Sequence, residues 1–115
     1  KISLVGDESI VQSGRHRPDG KYKFLGASVI DREESSIVYF LPSGAERILQ
    51  YEIPSLNLCQ IGPNLRDENI EPMLQNKWQN GFTSDIDGAV YAVPQNGKRV
   101  LRIHPGNNVN TNNAD

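Results

Sequence analysis

The sequence predicts an all-β protein built from two four-stranded antiparallel, blade-like units. The first observation is an internal repeat, because residues 38–49 return at 90–101 with an offset of 52 residues and no gap. Seven positions match, including a proline and an arginine in step. The second observation is that short β-branched and aromatic runs alternate with turn residues, which is typical of strands. Repeats of about 50 residues form arrays whose units bury apolar faces against one another.

Each unit shows the same order of segments. A short strand ends in glycine, the next begins with Lys and an aromatic residue, a Val-Tyr strand ends in proline, and an Arg-apolar-Leu strand follows. In the first unit, residues 1–55, these segments lie at 11–14, 22–30, 37–41 and 47–53. In the second unit, residues 56–105, they lie at 56–61, 78–86, 89–93 and 99–103.

Turn signals separate these segments. Asp87-Gly88 and Asn96-Gly97 predict tight hairpin turns, because type I′ turns need positive φ at both central residues. Residues 66–75 favour a helical turn that Pro72 would limit. The Asn-rich tail at 106–115 is predicted to be disordered alone in water.

Composition narrows the class of protein. The chain of 115 residues is 37% hydrophobic with a mean hydropathy of −0.53, which indicates a small core that needs a partner surface. A net charge of −2 without a basic stripe argues against nucleic-acid binding. The single cysteine, Cys59, excludes an intrachain disulfide and a CxxC zinc site. No apolar run reaches the roughly 18 residues of a membrane-spanning helix.

The sequence predicts no catalytic, cofactor-binding or metal-binding residues. Asp85 and Asp87, two positions apart, resemble part of a calcium loop, but a plain hairpin turn explains them, because calcium needs about six to eight oxygen ligands. The two histidines, His16 and His104, show no neighbouring nucleophile or carboxylate arranged for catalysis.

Basic residues are the candidates for partner contact. They are Arg15, His16, Arg17, Arg47 and Arg99. The first three form a cluster with Lys21 and Lys23 that would suit acidic headgroups or an acidic protein face, although a solvated loop is the simpler interpretation. Arg47 and Arg99 occupy equivalent repeat positions, which favours pairing with a carboxylate across the sheet, with a partner contact as the alternative.

Three aromatic residues recur at structurally important positions. Tyr39 and Tyr91 are equivalent in the repeat, and Trp78 follows Lys77 at the start of a strand. We expect all three to pack in the core or between units, and stacking against a ligand is the alternative.

Four segments of the second unit carry a family resemblance. They are Ile61-Gly62-Pro63, Lys77-Trp78-x-x-Gly81, Asp87-Gly88-Ala89-Val90-Tyr91-Ala92-Val93-Pro94 and Val100-Leu101-Arg102-Ile103-His104-Pro105. In these segments the chain resembles a repeat of protist and algal proteins, dinoflagellates especially, that is similar to kelch and related propeller arrays. The resemblance covers 56–105 well and 10–53 more weakly. It departs at Asn80 and His104, where the family pattern has Gly and Asp.

The resemblance implies an incomplete β-propeller. A closed propeller needs about four to eight blades, and this chain offers two units. Because uncovered sheet edges invite aggregation, we expect either further blades or a partner against the open edges. We also expect the chain, which begins at Lys1, to be a processed or truncated product.

The functional expectation is a non-catalytic accessory or scaffold subunit that docks on a larger protein assembly. The resemblance to algal repeats implies a peripheral subunit of a photosynthetic (photosystem) or other organellar complex, located in a plastid or other organelle. The alternative is a ligand-binding or enzyme fragment of a larger propeller. A pocket lined by Trp78, Tyr91 and a carboxylate would favour that alternative.

Overall fold

The computed structural model describes residues 1–4, 23–65 and 76–105, which form two antiparallel sheets. The strands are β1 (Phe24–Asp31), β2 (Ser36–Pro42), β3 (Ile48–Ile53), β4 (Asn57–Ile61), β5 (Trp78–Thr83), β6 (Val90–Pro94) and β7 (Leu101–Ile103). The first sheet has the order β1-β2-β3-β4 and the second has the order β5-β6-β7. The prediction of an all-β fold is therefore confirmed, and the two sheets do not close into a ring.

The prediction of four strands in each unit is wrong for the second sheet, which has three among the described residues. The sequence also grouped β4 with the second unit, whereas β4 pairs with β3 in the first sheet. A short connection explains this pairing, since Leu56 N donates to Glu52 O at 2.8 Å and turns the chain straight back. The sequence unit and the sheet are thus offset by one strand. The segments predicted at 11–14, 66–75 and 106–115 lie outside the described residues.

The sequence repeat is also a repeat of backbone geometry. The register against the neighbouring strand shifts just before Ala27 in β1 and just before Gly81 in β5. The residue preceding each shift has a positive φ, 86° at Gly26 and 60° at Asn80. Asn80 departs from the family pattern in sequence, but asparagine tolerates this left-handed conformation better than most residues. The two bulges are therefore equivalent, and 54 residues separate them along the chain (80 minus 26).

The turns that follow β2 and β6 match in the same way. In each, the first and third turn residues donate their amides to the carbonyl of the lysine that precedes the sheet. The bonds are Ser43 N and Ala45 N to Lys23 O at 3.0 Å each, and Gln95 N and Gly97 N to Lys77 O at 2.9 and 3.0 Å. The two turns therefore have closely similar backbone conformations.

The two sheets pack through opposite faces. The first sheet buries one face of β2, here called its front face: Ile37, Tyr39 and Leu41. The second sheet buries Val90 and Ala92, which correspond to Val38 and Phe40 on the other face of β2, here called the back face. The back face of the second sheet thus packs on the front face of the first. This is a head-to-tail contact, in which the two partners use different surfaces.

The strands β1 and β5 carry the closest approach between the sheets. A Cβ atom added at Gly26 would lie 2.6 Å from Asn80 Cα and 2.9 Å from Asn80 N, so only glycine fits. Thr83 Oγ1 donates to Val29 O at 2.9 Å, and it lies 2.7 Å from Ser28 Oγ. Because the single hydroxyl proton of Thr83 is used on Val29, Ser28 is the donor in the second bond.

We expect Gly26→Ala to destabilise the protein by more than about 2 kcal/mol, because the methyl group would collide with the backbone of Asn80. Gly88→Ala is the matched control. Gly88 also has a positive φ, 72°, but nothing lies within 4 Å of its added Cβ, so only a backbone penalty of about 1–2 kcal/mol remains. Urea unfolding measures both variants, and equal losses would contradict the close packing of the sheets.

Candidate functional site

The front face of the second sheet is an exposed apolar surface. Phe82 is 56% exposed, Val93 48% and Val100 59%. The Phe82 ring stacks on Tyr91, with centroids 5.6 Å apart and planes 21° from parallel. These residues form a shallow depression of about 480 Å³, lined by Phe82, Tyr91, Ala92, Val93, Pro94 and Val100. Exposed apolar clusters of this kind mark interaction surfaces in soluble proteins.

The repeat shows that the front face of the second sheet is equivalent to the front face of the first sheet. Val93 and Val100 correspond to Leu41 and Ile48, at the offset of 52 residues. Leu41 is 0% exposed and Ile48 is 6% exposed, because the second sheet covers them. The same positions stay apolar in the second sheet, although no described residue covers them there. The chain thus keeps the chemistry of a buried interface on an open surface.

A polar cluster borders this apolar face. The Tyr91 hydroxyl donates a short hydrogen bond to Asp87 Oδ2. Arg102 Nε donates to Tyr91 Oη at 3.1 Å, and Arg102 Nη2 lies 3.3 Å from Asp87 Oδ2. His104 Nδ1 lies 3.4 Å from Arg102 Nη2, which makes it the acceptor. The cluster holds the Tyr91 ring in place beside Phe82.

Hydrogen bonds keep the Asp87 carboxylate ionised. The bond from Tyr91 is the main cause that lowers the pKa of Asp87 to about 2, and the Ala89 amide and Arg102 contribute further. The Ala89 amide donates to Asp87 Oδ1 at 3.0 Å, as in an Asx turn. The Asp87 carboxylate therefore stabilises the hairpin between β5 and β6.

The calcium interpretation gains no support from this geometry. Tyr91, Ala89 and Arg102 occupy the oxygens of Asp87. Among residues 1–4, 23–65 and 76–105, no group of three or more His, Cys, Asp or Glu side chains is placed to hold a metal ion. Asp87-Gly88 does lie in the hairpin between β5 and β6, where the Gly88 amide donates to Ser84 O at 2.9 Å. The expected type I′ geometry is wrong, because Gly88 has a positive φ of 72° and Asp87 does not. Asn96 and Gly97 also lack positive φ, so the same expectation is wrong for that turn.

Two of the basic candidates, Arg47 and Arg99, lie within the described residues. Arg47 Nη1 donates to Gly62 O at 2.9 Å, which ties the start of β3 to the end of β4. That partner is a backbone carbonyl, so the expected pairing of Arg47 with a carboxylate across the sheet is wrong. Arg99 is exposed in the turn between β6 and β7, and its carbonyl accepts a hydrogen bond from Trp78 Nε1 at 2.9 Å. The cluster at 15–17 lies outside the described residues, and partner contact by these residues stays a prediction.

The aromatic residues divide between core and surface. Tyr39 and Trp78 are buried in the core between the sheets, as the packing interpretation predicted. Burial raises the pKa of Tyr39 above its ordinary value. Trp78 pairs with Pro94 on the back face of the second sheet, whereas Tyr91 lies on the front face. Trp78 and Tyr91 therefore lie on opposite faces of the second sheet, and they do not form the shared pocket that would favour the ligand-binding alternative.

Lys77 is the important residue that sequence reasoning missed. Its side chain is 1% exposed, and Nζ donates to Ser43 O at 2.9 Å and to Ala45 O at 2.7 Å. Its amide also donates to Ser43 O at 3.0 Å. A buried ammonium is stable only with such polar partners. The available signal was the recurrence of lysine before an aromatic residue, at Lys23 and Lys77.

Comparison of the chain with protein-family models, curated proteins and solved structures finds no match. The likeness of residues 56–105 to algal propeller repeats therefore stays a prediction. The described part of the chain contains no helix with the length and apolar character needed to cross a membrane.

We expect Lys77→Met to lower the free energy of unfolding by about 1–3 kcal/mol, because the buried carbonyl of Ala45 loses its donor. Lys1→Met removes the same charge from an exposed position, and its effect should stay within about 0.5 kcal/mol. Urea unfolding followed by Trp78 fluorescence measures both. Equal stability of Lys77→Met and the wild type would show that the buried ammonium is not a stabilising contact.

The hydrogen bonds of Asp87 predict a pH-dependent contribution to stability. Because its pKa is lowered from 3.8 to about 2, the ionised carboxylate stabilises the fold above pH 3.8, and this stabilisation is lost as the pH falls toward 2. The difference in stability between wild type and Asp87→Asn should be constant near neutral pH and should narrow across that window. Asp85→Asn, in the same turn, is the control. Parallel profiles for wild type and Asp87→Asn at all pH values would contradict this role.

Proposed function

We propose that this protein is a non-catalytic accessory or scaffold subunit that docks on a larger protein assembly through the front face of its second sheet. The observation that supports this proposal is the exposure of Val93 and Val100 at positions whose equivalents, Leu41 and Ile48, are buried. In the first sheet this face is a protein-binding surface, because the second sheet occupies it. The same apolar chemistry on the second sheet suits a further protein surface.

The composition of the face supports a protein partner. Phe82 and Tyr91 provide rigid aromatic area, and aromatic residues and arginine are enriched at the energetic centres of interfaces. The pair Arg102–Asp87 borders them as a polar rim, which is the usual arrangement around an apolar interface core. A partner that covers the apolar residues and contacts this rim would match the face in both apolar surface and charge.

A more specific form of the proposal is a peripheral subunit of a photosynthetic or other organellar complex. It rests on the resemblance of residues 56–105 to algal repeats and on no contact within the structure. The ligand-binding alternative has no favourable observation, because the residues lining the depression are apolar and the Tyr91 hydroxyl is already bonded to Asp87. A small ligand would find few polar groups there to fix its orientation.

Affinity capture from the native source, with quantitative mass spectrometry, tests the docking face. We expect Val100→Glu to reduce recovery of the bound subunits at least tenfold, because it places a charge on the apolar front face. Leu56→Glu is the matched control, since Leu56 is a half-exposed apolar residue in the turn between β3 and β4. Far-UV circular dichroism establishes that both variants fold.

Loss of the bound subunits with Val100→Glu and their retention with Leu56→Glu would support the proposed face. Equal recovery with the wild type and Val100→Glu would overturn it.

A further inference from the structure

The turn after β6 presents the same pair of carbonyl groups that binds an ammonium elsewhere in the molecule. In the turn after β2, Ser43 O and Ala45 O accept hydrogen bonds from Lys77 Nζ at 2.9 and 2.7 Å. At the offset of 52 residues, the equivalent carbonyls are those of Gln95 and Gly97. The amides of Gln95 and Gly97 donate to Lys77 O, just as those of Ser43 and Ala45 donate to Lys23 O. The two pairs of carbonyls therefore belong to turns with the same backbone hydrogen bonds.

The surface beside this second turn continues the pattern. In the first sheet, the ammonium site adjoins Leu41 and Ile48, which the second sheet covers. In the second sheet, it adjoins Val93 and Val100, which are exposed. The chain thus has two places where a pair of turn carbonyls able to bind a lysine ammonium lies beside an apolar sheet face. Within the described residues, only the first pair is filled.

The back face of the first sheet has the features of a surface that fits this site. The second sheet contacts the first through Trp78 and Ala92, and Lys77 directly precedes Trp78 in the chain. The equivalent residues of the first sheet are Phe24 and Phe40, whose rings meet edge to face with centroids 6.3 Å apart. Both are only partly buried, and Lys23 directly precedes Phe24. The Lys-aromatic pair that enters the interface inside the chain is therefore present a second time, on a partly buried surface.

We infer that the second sheet binds the first sheet of a second copy of this chain, head to tail. Lys23 of that copy donates its ammonium to Gln95 O and Gly97 O, and the back face of its first sheet covers the front face of the second sheet. This inference rests on the proposed docking face and names its partner as the same repeat unit. A head-to-tail contact leaves one free front face and one free back face. Association therefore continues into a ring if the rotation between copies closes, and into an open filament if it does not.

Sedimentation velocity of the purified chain, from about 1 to 500 µM, tests the inference across the range of ordinary affinities. We expect the wild-type mass to rise with concentration. Lys23→Met should weaken association at least tenfold, because it removes the ammonium but keeps the length of the side chain. Lys1→Met removes the same charge from an exposed position and should leave association unchanged. Val100→Glu should abolish association.

The outcomes separate this inference from the proposed function. A wild-type chain that stays monomeric at the highest concentration would overturn the inference, and so would association that Lys23→Met leaves unchanged. In either case, capture of other subunits that is lost with Val100→Glu would still support the proposed docking face. Recovery of other subunits that is insensitive to Val100→Glu would overturn the proposed function itself. Unfolding curves for Lys23→Met would show that any loss of association does not reflect a loss of folding.

Discussion

The buried ammonium of Lys77 is the interaction on which the arrangement of the two sheets depends. It joins the start of the second sheet to the turn after β2 through Ser43 O and Ala45 O. Burying a charge costs free energy unless polar groups bind it. Few placements of the second sheet on the first would therefore give the Lys77 ammonium its hydrogen-bond acceptors. Apolar burial is not directional and would tolerate sliding of one sheet on the other. The hydrogen bonds from Lys77 therefore determine where Trp78 and its neighbours enter the core.

The direction of this contact determines what the surface of the protein offers. Because the second sheet docks with its back face, its front face carries Phe82, Val93 and Val100 into solvent. The bulges at Gly26 and Asn80 bring the backbones of β1 and β5 together and help to set the relative position of the sheets. The exposed apolar face is thus a direct consequence of how the repeat stacks. The proposed docking role follows from that geometry.

The sequence was a good guide to local structure, because local structure depends on short patterns. The repeat around Tyr39 and Tyr91 predicted the strands, and Asp87-Gly88 predicted the hairpin. The pairing of β4 with the first sheet depends on contacts that a sequence period does not encode. Lys77 was missed because lysine is almost always exposed, and only its partners in a distant turn reveal its burial. Leu41 and Val93 are both apolar, so the sequence did not indicate which of them is covered.

Native-state hydrogen exchange tests most directly whether the two sheets form one body joined at Lys77. Neither sheet buries its apolar face without the other, so the slowest amides of β2 and β6 should exchange through one common opening reaction. Their opening free energies should agree within error and should fall together in Lys77→Met. Slow exchange that persists in β2 while β6 opens separately, at a much lower free energy, would contradict this mutual dependence.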